Sequence, residues 1–229
     1  MTAPITPERV KDAELEQFVA QQVRILQQGY LDNKAAPVAA LAKLRRAVTA
    51  TGTRAETWAY VLADLPDSLA DPADRFGEHR EGLPTAWERA AHDAIVLFAW
   101  HQQAKKTERM HRSGAGFGAA IRQLGEKASS AEAILTRFHA LNAATQHQAR
   151  LVHLRSLIGQ LRTHSIPLDY GRLARDLRRL QGPHPDWVQL SWARDYHHKP
   201  ATNQPATDQA ITDEAAGSDT LLDTTGEDQ

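Results

Sequence analysis

Apolar residues recur every three to four positions through most of this chain, and successive stripes are separated by Gly, Pro, Ser and Asp clusters. No run of alternating β-branched or aromatic residues is bounded by turn dipeptides, so the pattern offers nowhere for a strand to form. The chain is therefore expected to be all-α, a helical bundle of about nine helices.

Each helix has its own signals. The first is expected to start at Thr6-Pro7, with Pro at its first position and Leu15, Phe18, Val19, Val23 and Leu26 on one face. A second spans about 38–50 with Leu41, Leu44 and Val48 inward, and Gly52 lies past its end. Thr53-x-x-Glu56 is a capping box for a third that buries Trp58, Val61 and Leu62. Residues 66–83 are rich in Asp, Pro and Gly and read as a loop. Thr85-x-x-Glu88 opens the most apolar helix, with Trp87, Ala91, Ala94, Ile95 and Phe98, and this one belongs at the core.

Beyond a basic break at 105–116, helices are expected over 117–124, from a Ser129-x-x-Glu132 cap to about 143, and over about 146–163. Asp169 caps a helix bearing Leu173, Leu177 and Leu180. Asp186 caps the last, with Trp187, Leu190 and Trp192 inward. The expected organisation is an N-terminal lobe at 1–104, a connecting loop at 105–116, a C-terminal lobe at 117–198 and a disordered acidic tail at 199–229.

The motifs that chemistry needs are missing from the pattern. Cysteine is absent, which removes disulfides, thiolate zinc sites and a cysteine nucleophile, and fits a cytoplasmic setting. Of eleven histidines, His101 and His111 straddle a loop and His147 and His153 are six apart, so no metal is expected and surface or interface placement is the plain reading. Gly114-Ala-Gly-Phe-Gly118 lacks the Lys and the preceding strand of a phosphate loop and reads as a close turn into the next helix. No GxSxG occurs. The expectation is a non-enzyme without cofactor or small-molecule substrate. The longest apolar stretch, Ala94 to Trp100, is too short to span a bilayer, so no membrane partner is expected.

Charge is the positive signal. Net charge is −1, but residues 201–229 hold seven acids and no Lys or Arg; without them the balance is 27 basic against 21 acidic residues. Residues 99–182 hold 14 Lys/Arg against five acids. Arg45 and Arg46 turn away from the Leu41/Leu44 stripe, and Lys105, Lys106, Arg109 and Arg112 crowd the loop. Arg122 and Arg137 lie on the next two helices. Arg155 and Arg162 share a face, and Arg172, Arg175, Arg178 and Arg179 stud another helix with only Asp176 near them in sequence. Intrahelical ion pairing is the alternative reading and suits the first helix better than this one. Cations spread over several helices suit phosphate contact, which gives affinity without reading sequence. With aromatics at 6% and placed mainly at core positions, base stacking is not expected to dominate.

Several segments resemble a known family. Phe98-Ala-Trp-His-Gln-Gln103, then Gly114 to Gly118 followed by Ala120-Ile121, look like the central signature of CasB, the small subunit of the type I-E CRISPR surveillance complex, Cascade. Leu154-Arg-Ser-Leu-Ile-Gly-Gln-Leu-Arg162, Ile166-Pro-Leu-Asp-Tyr-Gly171, Leu173-Ala-Arg-Asp-Leu177 and Trp192-Ala-Arg-Asp-Tyr196 resemble its C-terminal half, and Leu44-Arg-Arg-Ala47 its N-terminal basic helix. The resemblance implies two helical lobes and a pair of copies in Cascade. The partners it implies are crRNA, target DNA, and the backbone and large subunits. The implied role is to hold the guide–target hybrid and the displaced strand, with no catalysis. It implies strand contacts at Arg45, Arg46, Lys105 and Lys106, and at Arg137, Arg155, Arg178 and Arg179. With Arg109, Arg112 and Arg122 from the charge pattern, these are the candidate nucleic-acid contacts. The acidic tail departs from the family pattern, and so does the turn Gly182-Pro-His-Pro185, which lacks basic residues.

Two other functions fit a basic helical chain. One is a sequence-specific DNA-binding regulator that inserts one helix. The other is a ribonuclease using an Arg and a His a few residues apart.

Overall fold

Helix α1 (Pro7–Leu31) begins at the proline, whose missing N–H is no loss in a first turn, and buries Leu15, Phe18, Val19, Val23 and Leu26. This computed structural model describes residues 7–47, 55–71 and 83–198. Among them lie nine α-helices and a single 3₁₀ turn at Asp67–Leu69; the only extended pairing is one isolated bridge between His111 and Leu168. The remaining helices are α2 (Ala35–Ala47), α3 (Ala55–Leu62), α4 (Ala86–His101), α5 (Phe117–Lys127), α6 (Ala131–Ala143), α7 (His147–Thr163), α8 (Tyr170–Arg179) and α9 (Pro185–His197). The expected Thr53 cap, Val48 and the acidic tail lie outside the described residues.

The strongest local signals behave as read. Thr85 accepts from the Glu88 N–H at 3.0 Å, and the Glu88 carboxylate accepts from the Thr85 N–H at 2.5 Å, a reciprocal cap. Helix α4 is buried along nearly its whole length and packs against α1, α2, α3, α7 and α8. Each of its large side chains, Trp87, Ile95 and Phe98, contributes about 1.5–3 kcal/mol of transfer free energy.

Four expectations need correction. Helix α2 starts at Ala35, earlier than expected, because Pro37 is tolerated in a first turn whose N–H groups have no helical partner. The cap of α6 is Ser130, whose hydroxyl accepts from the Ala133 N–H at 3.2 Å; the neighbouring Ser129 offered the same chemistry one residue early. Helix α9 is entered through His184 with Pro185 first, so Asp186 sits inside the first turn rather than capping it. Leu62, Trp187 and Leu190 were expected inward but are 47%, 66% and 49% exposed. In α9 the buried pair is Val188 and Trp192, one turn apart.

Helices α1–α4 pack together with α8, helices α6 and α9 both pack on α5, and α7 touches both sets. Helix α8 comes late in the chain yet lies against α1 and α4, while α9 packs on α5. Gly171 permits the approach: a Cβ there would stand 2.4 Å from the Glu16 carbonyl oxygen of α1.

Candidate nucleic-acid interface

The loop between α4 and α5 is held by two buried glutamines. Gln102 donates to the carbonyls of Lys105 (2.6 Å) and Glu108 (2.8 Å) and accepts from the Met110 N–H (3.1 Å). Gln27, from α1, accepts from the His111 N–H (2.7 Å) and donates to its carbonyl (3.2 Å). Asp169 accepts from both the Gly114 N–H (2.7 Å) and the Arg172 N–H (3.1 Å), joining the loop to the start of α8. Gly114 has φ +80°, open to glycine at no steric penalty. The basic loop is thus a fixed platform. Its side chains Lys106, Arg109 and Arg112 are exposed, and Arg109 donates to Gln28 Oε1 at 2.6 Å.

Three cations from three elements meet beside this platform. Arg162, in the last turn of α7, donates to Gln103 Oε1 (2.8 Å) and the Trp100 carbonyl (3.3 Å), with its guanidinium 4.3 Å over the Trp100 ring. Lys105 donates to Ser165 Oγ at 2.6 Å and pairs with Glu108 at 3.1 Å. The Ser165 hydroxyl, then Lys105, hold the Glu108 carboxyl below its ordinary value, so that acid is charged and offsets one of the three cations. Arg45, in the last turn of α2, leaves its Nη1 shielded from solvent and without a hydrogen-bond partner. Burial, and then the Arg45 charge, depress the Arg162 pKa. An open cavity of about 320 Å³ lies here, lined by Gln103, Ala104, Lys105, Arg162 and Thr163, so Lys105 and Arg162 both border it. Arg46 is exposed beside them, its Nε donating to the Ala42 carbonyl at 3.4 Å, and Arg155 is half-buried two turns before Arg162.

Other candidates stand apart. Arg122 donates to the His198 carbonyl (2.8 Å) and lies 3.9 Å from Glu126; Arg137 is exposed and donates to the Ala133 carbonyl (3.0 Å). The α8 arginines overturn the expectation that only Asp176 can pair with them. Arg178 pairs with Glu8 and lies 3.9 Å over the Trp87 ring. Arg179 pairs with Asp12 at 2.7 Å, Arg175 with Glu16 at 2.5 Å and Arg172 with Asp195 at 2.7 Å. The acids come from α1 and α9, beyond the reach of a periodicity argument. Arg162 was read on the Arg155 face but not carried into the candidate set; its place in the Leu154–Arg162 segment was the available signal.

The histidines are not all at the surface. His101 and His111 are buried at 0% and 3% exposure around Tyr170, whose hydroxyl lies 2.9 Å from His101 Nδ1. His147 joins α7 to α4 through Asp93 at 2.8 Å. Among the described residues, no group of three or more His, Asp or Glu could hold a metal ion, and no helix is long and apolar enough to cross a membrane.

Burial, and then the charges of Arg162 and Lys105, push the His101 pKa down to about 3. The unfolded imidazole titrates near 6.5, so between these values the unfolded chain takes up a proton that the folded chain refuses. Stability is intact above about pH 6.5 and falls as pH drops toward 3. At pH 5 the loss from His101 is about 2 kcal/mol, or a fall of about 4–8 °C in Tm. His111, depressed mainly by burial, acts in the same sense, and Asp176, raised by burial, in the opposite one. Melting His101→Gln beside the wild type at pH 7 and pH 5 isolates the His101 share; an equal drop in both proteins would refute it.

Comparison with known proteins places these elements. The family model of CRISPR-associated protein Cse2 matches residues 40–197, from within α2 to the end of α9. The crystal structure of CasB from Thermobifida fusca superposes with a TM-score of 0.67 at 33% identity, covering 81% of this chain and 98% of that one. No curated protein matches. The basic platform, the cavity and α8 all fall inside the matched span, and the chain belongs to the Cse2 (CasB) family, the small subunit of the type I-E CRISPR Cascade complex.

Proposed function

We propose that this subunit binds sugar-phosphate backbone without sequence preference, and so stabilises the crRNA–target hybrid and the displaced strand in antiviral defence. The observation that carries this reading is the pair of cations Lys105 and Arg162 lining one open cavity, with the Arg45 charge acting on Arg162; among the described residues Glu108 is the acid that pairs with Lys105. A phosphate oxygen in the cavity would accept from Lys105 and Arg162 and relieve the like-charge repulsion on Arg162. Lys106, Arg109, Arg112 and Arg46, exposed around it, extend the positive field, and Arg155 continues it along α7. R-loop formation exchanges one duplex for another of similar stability, so backbone contacts of this kind tip the balance. Partners in this role are crRNA, target DNA, a second copy of the chain, and the backbone and large subunits of a cytoplasmic Cascade.

The test is the salt dependence of binding. Contact with about six phosphates gives a log–log slope of roughly −5 for the full chain on single- or double-stranded DNA of arbitrary sequence. A slope near zero contradicts the proposal. A single preferred sequence, lost on changing one or two base-contacting residues, would favour the regulator instead.

A further inference from the structure

Each arginine of α8 is held by a carboxylate. Arg172, Arg175, Arg178 and Arg179 pair with Asp195, Glu16, Glu8 and Asp12, so their charge is offset where it stands. Arg162 is held otherwise. Its anchors among the described residues are neutral: the Trp100 ring, 4.3 Å from the guanidinium carbon, the Trp100 carbonyl at 3.3 Å and Gln103 Oε1 at 2.8 Å. Anchors of this kind fix a guanidinium and leave its full charge for a ligand. Arg178 also lies over an indole, that of Trp87, but there Glu8 takes up the charge.

Arg162 needs an anchor because its position is unfavourable to a cation. Burial, and then the Arg45 charge, act against it, so an unheld side chain would swing toward solvent. Trp100 stands in the last turn of α4 and packs partly on the core, and Gln103 lies two residues beyond that helix, so the bundle itself sets where the guanidinium sits. Both hydrogen bonds of the group are made by Nη1. Nε and Nη2, the side-on edge of the fork, donate to nothing among the described residues, and Arg162 borders the open cavity. That edge matches two oxygens of one phosphate.

We propose that Trp100 is a positioning residue for nucleic-acid binding: it holds Arg162 so that Nε and Nη2 offer a two-pronged contact to a single backbone phosphate in the cavity. The inference rests on the nucleic-acid reading above and deepens it, since geometry at Arg162, and not charge alone, becomes a source of affinity. A guanidinium already in place spares the affinity lost when only a fraction of molecules holds the competent pose.

The experiment measures binding of the full chain to a fluorescent single-stranded DNA of arbitrary sequence. Arg162→Gln is expected to weaken binding about tenfold. Arg162→Lys keeps the charge but cannot form the fork, and is expected to lose about fivefold. Trp100→Leu is expected to lose about fivefold as well, with Trp100→Phe keeping most of the affinity, and to cost nothing further in an Arg162→Gln background. An equal loss from Trp100→Leu in both backgrounds marks an indole that serves only the fold and overturns the proposal. Wild-type affinity in Trp100→Leu or in Arg162→Lys overturns it too. The Lys variant leaves the indole packing in place, so it decides the matter even where Trp100→Leu melts early. If Arg162→Gln itself binds like the wild type, the phosphate reading of the cavity fails and takes the positioning role with it, an outcome separable from the others because in those Arg162→Gln still loses affinity.

Discussion

Gly118→Ala is expected to destabilise the subunit by about 3 kcal/mol or more, lowering Tm by about 6–12 °C. A Cβ at Gly118 would stand 2.0 Å from the Trp192 carbonyl oxygen and 2.8 Å from the Asp195 Cβ. The first obstacle is backbone, so no rotamer change clears it and α9 must retreat from α5 as a unit. That retreat strains everything α9 holds in place. Trp192 donates its indole N–H to Asp176 at 2.7 Å, Phe117 packs on the same ring with centroids 4.7 Å apart, and Asp195 pairs with Arg172 at 2.7 Å. Burial already raises the Asp176 pKa, so losing the indole donor leaves a buried acid poorly served. Gly125, on the same helix, supplies the control. Its nearest neighbour for a new Cβ is Ala131 at 3.8 Å, so Gly125→Ala is expected to stabilise by about 0.5–1 kcal/mol through helix propensity. Thermal melts of both variants decide the matter, and a Gly118→Ala protein that melts with the wild type would show that the crossing is not tight.

The contrast between these glycines shows what a sequence can and cannot reveal. Signals that act within a turn were legible: Pro7 at the start of α1, the Thr85–Glu88 cap and the Asp169 cap all act over one to four residues. Features set by which helix meets which were not. Gly114 to Gly118 read as a turn, and Gly114 with its positive φ is one, but Gly118 is a crossing point with a helix some 70 residues on. The α8 arginines pair with Glu16, Asp12 and Glu8 at sequence separations of 159, 167 and 170 residues. In α9, Trp187/Leu190 and Val188/Trp192 are both spaced to bury together, and only the packing of α9 on α5 selects the second. The candidate site divides the same way. Arg45 turning from the Leu41/Leu44 stripe was readable, but its approach to Arg162 needs α2, α4 and α7 assembled.

That approach gives the sharpest functional expectation. Removing positive charge from Arg45 and Lys105 together, as Gln, is expected to weaken nucleic-acid binding about 10- to 100-fold near physiological salt and to reduce the magnitude of the salt slope by about 2. Stability should not fall with it. Arg45→Gln relieves repulsion on Arg162 and removes a shielded Nη1 that makes no hydrogen bond, while Glu108 keeps the Ser165 hydroxyl when Lys105 is gone. Loss of function with unchanged or raised Tm marks charges placed for a partner rather than for the fold. Arg179→Ala is the opposite case. Asp12 is 4% exposed, so deleting its partner strands a buried carboxylate at about 3 kcal/mol, and Tm should drop whatever happens to binding. If the Arg45/Lys105 variant instead loses stability and keeps its affinity, those cations serve the bundle, and the strand must run over another face.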